Sequence, residues 1–180
     1  MLEPRRLAAR AAAERMADTL NEKVGQTVGY RMRGISKVGP DTRIEVITEG
    51  ILTRMLQSDP ELPGVSAILF DEFHERSLAA DLGLALAWEV RETLRDDLLI
   101  VVMSATLDAA PVAILMDDAP IITSEGRSYP VEIRHLPRPQ SKETPLEAQA
   151  ANLVLKALHE TQGGVLVFLP GEAEINRTAQ

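Results

Sequence analysis

Apolar strand-like runs alternating with helix-like stretches predict an α/β fold: a parallel sheet with helices on both faces. Three observations carry that expectation. Val65 to Phe70, interrupted only by Ser66, and Leu98 to Val102 are short apolar runs, the pattern of strands buried on both sides. Between them Leu78 to Leu94 has helical spacing through Leu82, Leu86 and Val90. Two adjacent acids, Asp71 and Glu72, stand at the end of the first run, and ligands in open α/β sheets sit beyond the carboxyl ends of the strands.

The elements follow in order. Leu7, Ala11, Met16 and Leu20, set among alanines, predict a helix from about Arg5 to Leu20, with Pro4 in its first turn. Gly25 and Gly39-Pro40 punctuate the next stretch, in which Val28 to Arg33 reads as a strand. Arg43 to Thr48 reads as another strand and Glu49 to Gln57 as a short helix. Asp59-Pro60 and Pro63-Gly64 form a loop into the central strand. After the helix at Leu78 come a strand over Leu98 to Met103, a short helix over Asp108 to Met116 interrupted early by Pro111, and a last strand over Pro120 to Thr123. Prolines at 130, 137, 139 and 145, flanking a strand-like Val131 to Leu136, mark a crossing between domains. Leu146 to Glu160 reads as a helix, Gly163-Gly164 as a turn and Val165 to Leu169 as a buried strand.

Composition bounds the function. The 180 residues suit one ordinary domain, or one plus part of another, and 45% hydrophobic content supports a packed core. Without cysteine there is neither a disulfide framework nor a thiolate metal site. No apolar run approaches a membrane span, and residues 1–20 carry arginines through an amphipathic pattern rather than a signal peptide's apolar centre. A soluble, cytoplasmic protein is expected. The net charge of -8 is unevenly spread: residues 1–40 hold eight Lys/Arg and four Asp/Glu, a local +4, while the remainder is at -12. A local basic segment is enough to meet phosphates; it serves equally as a solubilising helix face.

Asp71 and Glu72 are the residues with the clearest chemistry. Two acids there can hold a hydrated magnesium ion and orient a water for attack on a phosphate; alone they are equally a solvated turn. The second strand run ends in Met103-Ser104-Ala105-Thr106. Taken singly, Ser104 and Thr106 are turn or cap residues, His74 a structural histidine, and Thr48-Glu49 a plain helix cap. Tyr30 between Arg31 and Arg33 suggests a stack-plus-charge contact for single strands, or merely exposed arginines on a strand.

Together these motifs resemble a DEAH-box superfamily 2 helicase. Asp71-Glu72-Phe73-His74 is similar to the acidic tetrad, and Ser104-Ala105-Thr106 to the motif paired with it. Pro4-Arg5-Arg6-Leu7-Ala8-Ala9-Arg10 resembles motif Ia, Thr48-Glu49-Gly50-Ile51-Leu52 motif Ib, and Val167-Phe168-Leu169-Pro170-Gly171 motif IV. Phe73, where most members carry alanine, together with Gly29 to Arg33 and Ser124 to Val131, resembles the bacterial HrpB-type ATP-dependent RNA helicases.

The resemblance implies a RecA-like (P-loop NTPase type) sheet, incomplete at both ends. It divides the chain into residues 1–128, a first RecA-like domain lacking its phosphate-loop segment, and 129–180, a linker and the start of a second. It implies ATP and Mg2+ as cofactors. Asp71 would coordinate the metal, with Glu72 beside it positioning and polarising the attacking water. His74 would link the nucleotide site to the coupling residues Ser104 and Thr106. Arg5, Arg6, Arg10, Thr48 and Gly50 would meet the sugar-phosphate backbone of single-stranded RNA, reading no sequence.

The phosphate loop itself, a Gly-x-x-x-x-Gly-Lys pattern, occurs nowhere in the chain, and motifs V and VI are expected beyond Gln180. Two function classes therefore stand: a segment of an ATP-dependent RNA helicase, inactive alone, or a truncated, non-catalytic RNA- or protein-binding module. A different phosphate-handling enzyme built on Asp71 and Glu72 lacks any separate pocket motif.

Overall fold

The computed structural model describes residues 1–105, 109–127, 129–136 and 144–179. They form two compact units, Met1–Ser124 and Glu125–Gln180.

The first unit is built on a mainly parallel sheet. Strand β1 (Val28–Met32) lies between β2 (Ile35–Lys37), antiparallel to it, and β3 (Ile44–Ile47), parallel to it. Strands β4 (Ala67–Phe70) and β5 (Leu99–Val102) pair in parallel, with Phe70 opposite Val102. What joins the two sets is the head of the chain. Leu2 bridges Ile47 on one side and Phe70 on the other, both in parallel. Leu2 N donates to Leu69 O at 2.7 Å, Glu3 N to Ile47 O at 2.9 Å, and Ile47 N to Met1 O at 2.8 Å. Three residues thus occupy a central strand position, at the carboxyl ends of β3 and β4. Nearer the amino ends of those strands lies a cavity of about 540 Å³ bordered by Met1, Ile44, Glu45, Ser66 and Ala67.

Helices cover the sheet from opposite sides. Successive strand residues point to opposite faces, and β3 shows the consequence. Val46 joins Ala9, Ala13 and Ala17 of α1 (Arg6–Thr19) with Val28, Tyr30 and Met32. Its neighbour Ile47 joins Leu52 and Leu56 of α2 (Glu49–Ser58) and Leu84, Ala87 and Val90 of α3 (Leu78–Thr93), with Ile68 and Phe70 of β4. The alanine face of α1 lets its backbone lie close on β1. Gly29 meets a similar demand, since a Cβ there would stand 2.5 Å from the Lys37 carbonyl oxygen of β2.

Arg95 fastens the loop before β4. Its guanidinium donates to the carbonyls of Glu61, of Leu62 at 3.2 Å and of Val65 at 2.9 Å, while Asp97 pairs with it at 2.7 Å. After β5 comes α4 (Ala110–Leu115), with Pro111 accommodated in its first turn rather than interrupting it.

Several expected elements differ. Pro4 precedes the extended N-cap Arg5 of α1 instead of sitting in its first turn. Pro120 to Thr123 and Val131 to Leu136 form no strand, with Ile122 94% and Val131 83% exposed: neither pairs with a strand among the described residues. In the second unit α5 (Leu146–Glu160) and α6 (Glu172–Thr178) are held together by Arg177, which pairs with Glu147 at 2.5 Å and Glu174 at 2.7 Å. Val165 to Leu169 is likewise no buried strand. Val165 to Leu169 borders an apolar cavity of about 560 Å³ against α5, and exposure alternates along it, Val165 and Val167 at 37% against Leu166 at 79% and Phe168 at 88%. The period of two is there, but the partner strand is not.

Candidate functional site

The acids sit on a turn whose shape is held from three sides. Asp71 leaves β4 with its amide donating to Leu2 O at 3.0 Å, and Asp71 Oδ1 accepts the Glu72 amide at 2.9 Å. Glu72 is left-handed (φ 51°, ψ 34°), a single 3₁₀ turn follows over Phe73–Glu75, and Arg76 is left-handed again (φ 48°, ψ 60°). Such conformations cost a non-glycine residue about 1–2 kcal/mol each, so the surroundings must impose them. Phe73 does much of this. It is 3% exposed, meets Phe70 edge-on with ring centres 6.1 Å apart, and its amide donates to Met103 O at 3.1 Å. Arg76 lies over the outer face of the same ring, 5.6 Å from its centre. The apolar Phe73 is thus the anchor that lets two half-buried acids stand at the sheet's carboxyl edge.

The turn is strongly negative. Glu3, 6% exposed on the central strand stub, is the only buried charged side chain among the described residues. Its own burial pushes its carboxyl pKa up, repulsion from Asp71, Glu72 and Glu75 adds to that, and Arg5 partly offsets it. Glu3 escaped sequence reasoning because a three-residue stub is too short to show a strand period; an acid flanked by Leu2 and Pro4 was the only signal. His74 Nδ1 lies 3.3 Å from Glu72 Oε2, and that nitrogen is buried with no hydrogen-bond partner among the described residues. Ser104 follows Met103, whose carbonyl the acid turn takes, so the end of β5 reaches the turn. Thr106 lies outside the described residues.

No three His, Cys, Asp or Glu side chains converge as a metal cage among the described residues. The oxygen donors of Asp71 and Glu72 nevertheless suit magnesium, which keeps several waters and takes few protein ligands. The crowding of carboxylates around Glu3 is a field that a divalent cation would relieve.

The expected nucleic-acid residues fall into two groups. Arg5, 72% exposed, donates Nη2 to Glu75 Oε1 at 2.5 Å, joining the head of α1 to the acid turn. Arg6 is exposed on the first turn of α1, whereas Arg10 is paired with Glu14 at 2.8 Å. Thr48 is the N-cap of α2 but makes no side-chain cap bond, and no atom of the described residues stands within 4 Å of a Cβ placed on the exposed Gly50. Between them Glu49 accepts from Ser77 Oγ at 2.7 Å, and Ser77 in turn caps α3 by accepting the Ala80 amide. The Tyr30 stacking arrangement does not form. Tyr30 points into the core beneath α1, 3% exposed, because it shares the inward face of β1 with Val28 and Met32. Arg31, on the opposite face, pairs with Glu45 at 2.7 Å.

No family model matches the chain. It is 53% identical over 180 residues to the ATP-dependent RNA helicase HrpB of Escherichia coli, covering 100% of this chain and 22% of that protein. It is 37% identical over 181 residues to Escherichia coli ATP-dependent RNA helicase HrpA, covering 98% of this chain and 14% of that one. A crystal structure of Escherichia coli DEAH/RHA helicase HrpB superposes with a TM-score of 0.89 at 54% identity, over 99% of this chain and 22% of that chain. A second, of the Escherichia coli DExH-box NTPase HrpB, superposes over the same shares with a TM-score of 0.77. The chain spans about a fifth of HrpB's length. In sequence and in fold it is a homologue of a segment of the HrpB-type ATP-dependent RNA helicases.

Proposed function

We propose that this chain is the segment of an ATP-dependent RNA helicase that carries the water-activating acids and part of the RNA track. Residues 1–128 would belong to a first RecA-like domain and 129–180 to a linker and the start of a second. The observation that carries this reading is the acid turn itself. Asp71 and Glu72 stand at the carboxyl end of β4, tied through Phe73 N to the end of β5, in a chain homologous to HrpB throughout.

Asp71, at the strand end with its Oδ1 accepting the Glu72 amide, would hold a hydrated Mg2+. When bound, that ion would neutralise charge on the phosphate oxygens of ATP. Glu72 would orient and polarise the attacking water. His74, against Glu72 Oε2, would hold that carboxylate's orientation and pass its position to Ser104 and Thr106. Arg5, Arg6, Arg10, Thr48 and Gly50 would meet RNA through sugar and phosphate, which suits a protein that moves along RNA without reading it.

Alone, the chain should bind RNA and not turn over ATP, because its sequence has no Gly-x-x-x-x-Gly-Lys loop to cradle the phosphates. That same feature favours the second reading, a non-catalytic RNA- or protein-binding module. Measuring RNA-stimulated ATP turnover of this polypeptide beside a version extended at both ends to the full length of HrpB separates them. Turnover only in the extended protein supports the helicase segment; none in either, with RNA still bound, supports the module.

A further inference from the structure

We propose that Glu75 is a positioning residue that couples RNA to the acids: its carboxylate holds Arg5 until an RNA phosphate takes that arginine away. This rests on the RNA reading of Arg5 given above. Three observations support it. The Arg5–Glu75 pair, 2.5 Å long, has its arginine 72% exposed, so a phosphate can reach the guanidinium and offer its own anionic oxygens as charge-assisted acceptors in place of Glu75 Oε1. Glu75 closes the single 3₁₀ turn whose first hydrogen bond, Glu75 N to Glu72 O at 2.9 Å, includes the water-orienting acid. The turn is bracketed by two left-handed non-glycine residues, Glu72 and Arg76, and so is held by its contacts rather than by local preference.

A second clasp lies on the other flank. Glu49, between the proposed RNA contacts Thr48 and Gly50, accepts the Ser77 hydroxyl at 2.7 Å, immediately beyond the turn. Both RNA-facing segments therefore grip the acid turn through a carboxylate, Arg5 to Glu75 at its end and Glu49 to Ser77 just after it. When a phosphate displaces Glu75 from Arg5, one grip opens. The turn can then relax about Glu72 while Phe73 keeps it anchored in the core.

The test uses the chain as it is, with fluorescein-labelled oligouridylate as probe and anisotropy read across a salt series. Glu75→Asp keeps the charge but withdraws the carboxylate by one methylene, so it should tighten RNA binding about two- to five-fold, the range expected when an exposed ion pair no longer competes. Its salt slope should steepen by about one released counterion. In an Arg5→Gln background, where no arginine remains to be freed, Glu75→Asp should change nothing. Amide exchange at 72–76 should quicken when RNA is added to the parent, and be fast in Glu75→Asp with or without RNA. Should Glu75→Asp fail to fold, Glu75→Gln beside the control Asp81→Asn, which removes one charge nearby without touching Arg5, makes the same comparison. Equal effects of the Glu75 substitution in both backgrounds, or exchange at 72–76 indifferent to RNA, would overturn the proposal while leaving RNA binding intact. A folded parent that binds no oligouridylate would remove the RNA reading and this inference with it.

Discussion

The Phe73 amide donates to the Met103 carbonyl at 3.1 Å, so the acid-bearing turn after β4 is bolted to the end of β5. Phe73 stands where the resemblance to DEAH-box proteins leads one to expect alanine. Its ring fills the space beside Phe70 and beneath Arg76, and the turn is positioned as much by apolar packing as by hydrogen bonds.

Phe73→Ala should therefore destabilise the first unit by about 3–5 kcal/mol, the usual cost of emptying a buried phenylalanine site. Denaturant unfolding followed by circular dichroism measures it. A loss below about 1 kcal/mol would mean that the ring is not the anchor.

Gly29→Ala should destabilise through overpacking, by about 1–3 kcal/mol. The new methyl's tightest contact would be backbone, the Lys37 carbonyl oxygen of β2 at 2.5 Å, with the Val38 and Thr42 side-chain methyls next at 3.0 and 3.2 Å. The same denaturant measurement applies, and an unchanged midpoint would show that β2 yields freely.

Glu3 predicts a pH dependence. Its pKa is raised in the folded state, so the folded protein holds the Glu3 proton more tightly than the unfolded chain, whose glutamate titrates near ~4.3. The stability this proton supports is fully present below that value and lost as pH rises through the folded pKa. Glu3→Gln should abolish that loss. Stability curves of parent and variant should diverge from about pH 4.3 upward, with the variant the more stable at neutral pH. Parallel curves would show that Glu3 carries no such penalty.

What was legible in the sequence was whatever repeats. Helices α3 and α5 were readable because fifteen or so residues of spacing average out local ambiguity. Strands β4 and β5 were readable because an apolar run too short for a helix, stopped by acids or by Ser-Ala, fits little but a buried strand. Short pieces were not. The hairpin strand β2 has three exposed residues after the left-handed Gly34, and the Met1–Glu3 stub has no period at all. Tyr30 misled because its neighbours Arg31 and Arg33 suggested exposure, while strand alternation turns the ring inward under the alanines of α1. Val165 to Leu169 shows the opposite failure: the alternation is real, but a strand also needs a neighbour. Of the site, Asp71, Glu72 and Arg5 were visible as motif residues. Their tertiary partners, Glu3 and the Glu75 end of the Arg5 pair, were not, since a contact across so much sequence leaves no local trace.

The central claim is that Glu72 orients the attacking water. Its most direct measurement is single-turnover ATP hydrolysis, beside nucleotide binding, by a full-length HrpB-type protein carrying this segment with Glu72→Gln. The substitution preserves shape and removes the charge. Nucleotide should bind with affinity close to the parent's, while hydrolysis falls at least a hundred-fold, the lower end of about 10²–10⁴ for loss of a positioned acid–base group. Hydrolysis within a few-fold of the parent would contradict the assignment.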